Sequence, residues 1–257
     1  MPPLSFAERA RMERERELRE VERAHDQAHA ERDAYIAWLR GKPADDGHPY
    51  LARKQVRSHG LRLDARGRLL LPARDVTGWL GNVQTIEPDG FKLFPEGSRK
   101  VGLAVPIGPV ESPRPLLIAE GYATAATLHE ATGLPCLAAF DSGNLLPVAL
   151  AWRAKHPHRR VVICADNDHH LPRRDPPLPN VGREKAKEAA AAIGGLALMP
   201  KFGLNDDGTD FNDHAATHGA DAVRQIVMTA VCKSFAPTPP SGPAAVLQDR
   251  PGARTLG

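Results

Sequence analysis

The sequence has little cysteine and no long apolar run. Cys136, Cys164 and Cys232 lie far apart and form no C-x-x-C pair, which argues against a zinc ribbon or a disulfide framework and is typical of the reducing cytoplasm. No apolar run approaches the ~20 residues of a membrane span, and the N-terminus, rich in both acids and bases, is unlike a signal peptide. We therefore expect a cytoplasmic protein that makes no membrane contact.

An excess of charge of either sign is also missing. The formal net charge is +3 over 257 residues, so a surface for nucleic acid has to come from a local patch. The length allows one large domain or two small ones. Changes in composition predict four segments: a charged helix over 1–44, a basic subdomain over 45–112, an α/β domain over 113–233 and a disordered Pro/Gly-rich tail over 234–257.

Glycine and proline are absent between Ser5 and Arg40. Glu, Arg and Ala dominate there, and pairs such as Glu15 and Arg19 have the spacing that supports a helix. The apolar residues make only a thin stripe, formed by Leu18, Val21, Ala24 and Ala28. A solvated helix or tail is the simpler interpretation, and a helix that docks a partner or nucleic acid is the alternative.

The segment between Gly47 and Gly108 alternates short apolar stretches with turn signals. These signals are Gly67, Gly78 and the run Pro88-Asp89-Gly90, and they predict an antiparallel meander. Bases outnumber acids in this segment. Charge alone supports a phosphate-binding surface and a solvated face about equally.

From Arg114 onward, apolar strands alternate with helices. The predicted strands are Leu116–Ala119, Pro135–Phe140, Arg160–Ala165 and Leu196–Met199. The predicted helices are Ala123–Thr132, Leu146–Lys155, Val181–Ile193 and Ala220–Val231. Continuous Val/Ile/Leu runs are typical of buried parallel strands. The pattern therefore predicts an α/β fold, with a parallel sheet covered by helices on both faces.

Three carboxylates follow the ends of two of these strands. Glu120 follows the first strand, and Asp166 and Asp168 follow the third. The carboxyl ends of parallel strands share one rim, and clustered hard oxygen ligands suit Mg²⁺, which commonly handles phosphates. Alternatively, Glu120 caps the next helix and the two aspartates are simply solvated.

A further acidic cluster follows the fourth strand. Asp210 and Asp213 are candidates for a second metal position. For Asp213, capping of the following helix is the simpler interpretation.

The ordered set of motifs resembles a known domain. Ile118-Ala119-Glu120-Gly121-Tyr122, Ala165-Asp166-Asn167-Asp168 and Gly208-Thr209-Asp210 together resemble the Toprim domain of bacterial-type DNA primases, topoisomerases and some nucleases. The preceding basic segment, with Gly67 to Asp75 and Gly90-Phe91-Lys92, looks like the subdomain before Toprim in bacterial-type primases. Over residues 45–230 the chain resembles the primase-like Toprim proteins of plasmids, phages and integrating elements.

The resemblance implies a fold and an activity. The fold is a Rossmann-like Toprim sheet with helices on both faces, preceded by a small basic α+β subdomain. The activity is that of a primase-type nucleotidyltransferase, which makes short RNA primers on single-stranded DNA during plasmid, phage or mobile-element replication. Mg²⁺ or Mn²⁺ is the implied cofactor. The implied partners are single-stranded DNA, nucleoside triphosphates and a replicative helicase or other replication protein.

The resemblance also implies roles for individual residues. Glu120, Asp166 and Asp168 match the catalytic acids, and with Asp210 they match the metal-site acids. Arg74 and Lys92 match basic positions that face template or nucleotide phosphates, and Gly182 and Lys185 match the small-basic segment that opens the helix after the acidic turn.

Two positions depart from the family's pattern. Thr124 stands where many primases carry a second acid, and Asn212 stands where an acid is usual in cellular primases. Two other functions stay open, the first because the same acidic set also suits hydrolysis of a phosphodiester and the second because of these departures. One is a metal-dependent nuclease, and the other is a non-catalytic module that binds DNA or a replication partner.

Overall fold

The computed structural model describes residues 5–203 and 206–234. From residue 235 onward, the tail predicted to be disordered lies outside these ranges. Among the described helices, none is both long enough and apolar enough to cross a membrane.

A long helix, α1 (Phe6–Arg40), opens the chain, as its composition predicts. Ser5 and Glu8 form a capping box: the Ser5 hydroxyl accepts the Glu8 N–H at 3.3 Å, and the Glu8 carboxylate accepts the Ser5 N–H at 2.8 Å. These bonds satisfy N–H groups that a helix start leaves without partners.

An antiparallel sheet follows α1, as the turn signals predict. Its elements are β1 (Lys42–Pro43), α2 (Pro49–Lys54), β2 (Arg62–Leu63), β3 (Leu69–Arg74), β4 (Leu80–Ile86) and β5 (Lys92–Leu93). The strands pair in chain order, and every pair is antiparallel. Gly67 and Gly90 have φ of 77° and 100° in the turns before β3 and β5, a conformation that glycine adopts without the steric cost of a Cβ.

The second sheet forms the α/β part. Its elements are β6 (Val105–Ile107), β7 (Leu116–Ala119), α3 (Tyr122–Thr132), β8 (Cys136–Ala138), α4 (Leu145–Lys155), β9 (Val161–Cys164), α5 (Val181–Ile193), β10 (Leu196–Leu198), α6 (Phe211–His218) and α7 (Ala220–Ser234). The strand order is β10-β9-β7-β8-β6. The first four strands are parallel, which confirms the prediction.

One edge of this sheet was not predicted. β6 pairs antiparallel with β8, although its residues lie within the predicted basic subdomain. The strand is short and has Pro106 at its centre, so it carries no recognisable strand pattern. A proline is tolerated there because an edge strand has no partner on its outer side.

Helices cover both faces of the second sheet. On one face, Leu117 and Val162 pack into a core with Leu128 of α3 and Val227 of α7. On the other face, Ile118, Ile163, Val148 of α4 and Ala186 of α5 form a second core. Successive strand residues alternate between the two cores. The strands are therefore buried on both sides, and their carboxyl ends are held rigidly.

Only the last part of α1 belongs to the packed fold. Ala34 is buried and Trp38 partly so, against Leu70 of β3 and Leu80 of β4. The guanidinium of Arg62 lies 4.6 Å above the Trp38 ring. The first turns are open to solvent, with Phe6 83% exposed. The solvated-helix interpretation fits the outer part of α1, and the inner part is an ordered layer on the first sheet.

Candidate active site

Glu120 and Asp166 meet at the carboxyl rim of the second sheet. They follow β7 and β9, which are neighbours with Ala119 paired to Cys164. The Glu120 carboxylate accepts the backbone N–H of Asp166 at 3.3 Å. The N-cap of α3 is Gly121, without a side-chain capping bond. Glu120 therefore does not cap α3, and the capping alternative for this residue is excluded.

The environment of both carboxyl groups disfavours their charged forms. Burial raises the pKa of Glu120, and the charges of Asp168, Asp141 and Asp210 raise it further. Asp141 comes from the third neighbouring strand end, after β8, and is paired with Lys100. Acids from four loops therefore act on one another at this rim.

Asp166 is the most constrained of these acids. Burial raises its pKa, as do the charges of Glu120, Asp210 and Asp168, whereas Lys92 acts in the opposite direction. Its Oδ1 atom is buried and has no hydrogen-bond partner. A buried acceptor without a donor is costly unless a cation or another ligand satisfies it.

Gly182, in the first turn of α5, makes room for the two acids. A Cβ added there would lie 2.7 Å from Glu120 Oε1 and 3.3 Å from the Asp166 carbonyl oxygen. Any side chain would displace the Glu120 carboxylate or the strand end. The sequence marks Gly182 through the family resemblance, and the structure supplies the steric reason for a glycine.

Asn167 holds the turn between Asp166 and Asp168. Its backbone N–H donates to the Thr209 carbonyl at 2.6 Å, and its side chain donates to the Pro200 carbonyl at 2.9 Å. The middle residue of the turn thus binds neighbouring loops.

Asp210 reaches the rim from the loop before α6. Its Oδ1 accepts the Asp213 N–H at 2.8 Å and its Oδ2 accepts the hydroxyl of Thr124 at 2.9 Å. Asp210 is thus the N-cap of α6. α6 was not among the predicted helices, and the interpretation of Asp213 as the cap of the following helix is wrong, because Asp213 lies inside α6. The carboxylate of Asp213 instead accepts the Thr209 N–H at 3.0 Å.

Thr124 and Asn212, the two departures from the family pattern, have defined structural roles. The buried Thr124 holds Asp210 in place with a neutral hydroxyl. Asn212 donates to the Lys54 carbonyl at 2.7 Å and to the Thr127 hydroxyl at 2.9 Å. It therefore ties α2 to α3, where a carboxylate would repel the carbonyl oxygen of Lys54.

Two lysines of the first sheet region approach the acids. The Nζ atom of Lys92 lies 4.0 Å from the point where a Cβ on Gly121 would be. Desolvation of this ammonium end and the charge of Lys54 lower the pKa of Lys92, while Asp166 and Asp210 oppose that shift. Lys54, which no motif marks, lies 3.7 Å from Asp213.

Arg74 and Lys185 have their contacts elsewhere. Arg74 donates to the Gly78 carbonyl at 2.8 Å and lies 5.9 Å from the Trp38 ring. Arg74 is the last residue of β3 and pairs with Leu80, the first residue of β4. Lys92 pairs with Ile86 at the other end of β4. Lys185 pairs with Glu188 at 2.7 Å on the exposed face of α5. Their assignment to nucleic acid or nucleotide stays a prediction.

The acid cluster fits a magnesium ion that is completed by other ligands. Among the described residues, no three His, Cys, Asp or Glu side chains converge on one metal position. Mg²⁺ commonly takes only one or two carboxylates, and waters and substrate phosphates supply the rest. The unpartnered Asp166 Oδ1 beside Glu120 offers such a pair.

Comparisons with known proteins agree on this part of the chain. Residues 115–221 match the Toprim domain family. Two proteins of Escherichia coli, each named DNA primase TraC, are 42% identical to this chain over 165 residues, or 62% of its length. That stretch is 11% of one relative and 15% of the other. The chain thus spans a small part of the curated relatives it matches.

Solved structures with a similar fold include two primase fragments. The primase fragment of the bacteriophage T7 primase-helicase protein has a TM-score of 0.49 at 13% identity, covering 70% of this chain and 73% of that chain. The RNA polymerase domain of the Mycobacterium tuberculosis primase DnaG, in complex with a DNA oligomer, has a TM-score of 0.48 at 16% identity, covering 79% and 80%.

Proposed function

We propose that this Toprim primase-like chain carries the catalytic centre of a DNA primase, a nucleotidyltransferase that makes short RNA primers on single-stranded DNA in plasmid, phage or mobile-element replication. The observation that carries the proposal is the meeting of Glu120 and Asp166, with an unsatisfied oxygen on Asp166 and Lys92 close by. All four predicted acids lie within the segment that matches the Toprim family.

The acids are assigned to metal binding. Of the four acids, Glu120 and Asp166 would contact Mg²⁺ or Mn²⁺, and Asp168 and Asp210 would act on the ion through their charge. A bound cation would withdraw charge from the nucleotide phosphates and favour the ionised form of the attacking hydroxyl. Thr124 keeps Asp210 in place through its hydroxyl. Glu120 has two suitable roles, as a ligand and as the base that takes the hydroxyl proton, since its raised pKa lies nearer neutrality.

The basic residues are assigned to phosphates. Lys92, next to the acids, neutralises the triphosphate. Arg74 and Lys185, further from the acids, contact the nucleic-acid backbone. In the reaction a ribose 3′-hydroxyl oxygen bonds to the α-phosphorus, the bond to the β-phosphate breaks, and pyrophosphate leaves. A replicative helicase or another replication protein is the proposed partner.

A labelled-nucleotide assay on single-stranded DNA tests the proposal. The full chain with Mg²⁺ or Mn²⁺ is expected to make short labelled products, and Asp166→Asn is expected to abolish them, because the ion loses a charged ligand while the fold keeps a side chain of equal size. Asp207→Asn is the matched control: it makes the same change at an exposed acid of the neighbouring cluster and should leave synthesis intact.

The same assay separates the alternatives. Metal-dependent shortening of the DNA without new product would show that the chain acts as a nuclease and not as a primase. DNA binding with no turnover under either metal would indicate a non-catalytic module. Unimpaired synthesis by Asp166→Asn would show that the assignment of the metal site is wrong.

A further inference from the structure

Two histidines on the solvent-exposed part of α1 face each other one helical turn apart. The rings of His25 and His29 have centroids 4.4 Å apart, and their Nε2 atoms are 3.2 Å from each other. A spacing of four residues places both side chains on the same side of the helix. The side chain of His25 is 71% exposed, so ions in solution reach the pair.

The distance between the two nitrogens suits a shared metal ion. Transition cations bind imidazole nitrogen at about 2.0–2.1 Å, so two nitrogens at right-angled or tetrahedral positions lie roughly 2.9–3.4 Å apart. The observed 3.2 Å falls within this range. The two Nε2 atoms share a hydrogen bond, and a cation that takes the place of the shared proton would be within reach of both.

Acidic residues lie near the pair on the same helix. Asp26 Oδ1 is 3.8 Å from Nδ1 of His25, too far for a hydrogen bond, and adds negative charge beside the ring. Glu22 and Asp33 stand three residues before His25 and four after His29 on the same helix. Within the described part of the chain no third donor completes a closed set, so water fills the remaining positions.

We propose that His25 and His29 form a bidentate site for a transition cation such as Zn²⁺, Ni²⁺ or Cu²⁺. Imidazole nitrogens select these ions, whereas Mg²⁺ prefers oxygen ligands, so the site is chemically separate from the carboxylates of the second sheet. The ion bridges the two residues only where α1 is helical. Binding therefore stabilises a stretch of α1 that extends beyond the packed layer.

Calorimetric titration of the tag-free full chain with ZnCl₂, in excess Mg²⁺ to occupy oxygen sites, tests the proposal. The wild-type chain is expected to bind Zn²⁺ at least about tenfold more tightly than a variant in which two residues exchange places, His29→Gln with Gln27→His. The exchange keeps the composition constant but puts the imidazoles two residues apart, where they point to different sides.

Two further variants complete the test. His25→Ala should weaken Zn²⁺ binding as much as the exchange does, while His158→Ala, at an exposed histidine elsewhere, should not change it. Far-UV circular dichroism confirms that α1 stays helical in each. Equal Zn²⁺ affinity in the wild type and the exchanged variant would overturn the proposal, because it would mean that the ion does not need the pair.

Discussion

The two sheets hold their charged residues in different ways. In the second sheet, Glu120 and Asp166 follow strands whose residues are buried on both faces. In the first sheet, Lys92 belongs to a two-residue edge strand of exposed residues, although its ammonium end is desolvated near the acids. The acids are thus placed by the core, while the lysine reaches them as a long side chain from a sheet edge.

The different placement of the acids and of Lys92 suits two different tasks, holding a metal ion and binding a phosphate. In the proposed function, acids held by the core would set the position of a metal ion as closely as in-line chemistry on phosphorus needs. Lysine has a flexible four-carbon side chain, which would let Lys92 follow a phosphate that changes position during binding and release. Rigid placement has a cost, since it keeps two carboxyl groups partly desolvated and close together.

Gly182→Ala tests the rigid side and is expected to have the largest effect among changes that leave the acids themselves intact. The added methyl group would lie 2.7 Å from Glu120 Oε1 and displace that carboxylate, so primer synthesis should fall by about 100-fold, the order expected for a misplacement near 1 Å. The measurement is the initial rate of labelled primer formation at saturating nucleotide.

The control for Gly182→Ala is Val181→Ala, which changes the exposed neighbouring residue and should leave the rate unchanged. Alanine favours the helix over glycine by about 1 kcal/mol. Loss of the α5 helix therefore cannot explain a slow Gly182→Ala enzyme. A Gly182→Ala rate equal to the wild-type rate would show that the acids tolerate displacement.

Sequence patterns predicted the rigid sheet better than the contacts at its rim. The apolar runs from Leu116 and Val161 are continuous and end at loop signals, which marks buried strands, and strand ends imply a shared rim. No local pattern shows that Thr124 donates to Asp210, because the two residues are 86 positions apart. Asp213 was interpreted as a cap because α6 was not among the predicted helices, and Asp210 and Asp213 are equally good capping residues.

The first sheet was predictable in outline only. The turn glycines predicted its hairpins. The packing of Ala34 and Trp38 on β4 depends on tertiary contacts that the charged sequence of α1 does not indicate. The position of Lys54 near the acids also involves a long-range contact, since Asn212 donates to its carbonyl oxygen. Such long-range pairings carry no periodicity.

Lys92→Gln tests the flexible side and is expected to have a smaller effect. Loss of the ammonium group next to the acids should reduce synthesis by about 10-fold, mostly through a higher KM for nucleotide, because one charge-assisted contact to phosphate is worth about 1.5–3 kcal/mol at most. The measurement is the dependence of the rate on nucleotide concentration.

The matched control is Lys185→Gln, which removes a lysine already paired with Glu188. Its KM for nucleotide should change by at most about twofold, because Lys185 is assigned to the nucleic-acid backbone and not to the triphosphate. If Lys185→Gln raises KM for nucleotide more than Lys92→Gln does, the triphosphate lies along α5 and the assignment of Lys92 is wrong.

The smallest expected effect is on stability without metal. The pKa is raised to about 7 for Glu120 and about 8 for Asp166, so the folded chain keeps protons that the unfolded chain has lost, and stability falls as pH rises from about 4 to about 8. In EDTA at pH 8, Asp166→Asn should therefore melt a few °C higher than the wild type, and the two melting temperatures should converge below about pH 4. Mg²⁺ should raise the wild-type melting temperature more than that of the variant. If the difference between the two melting temperatures stays constant across this pH range, the rim acids do not destabilise the fold by their proximity. The contrast between the two sheets would then have no energetic basis.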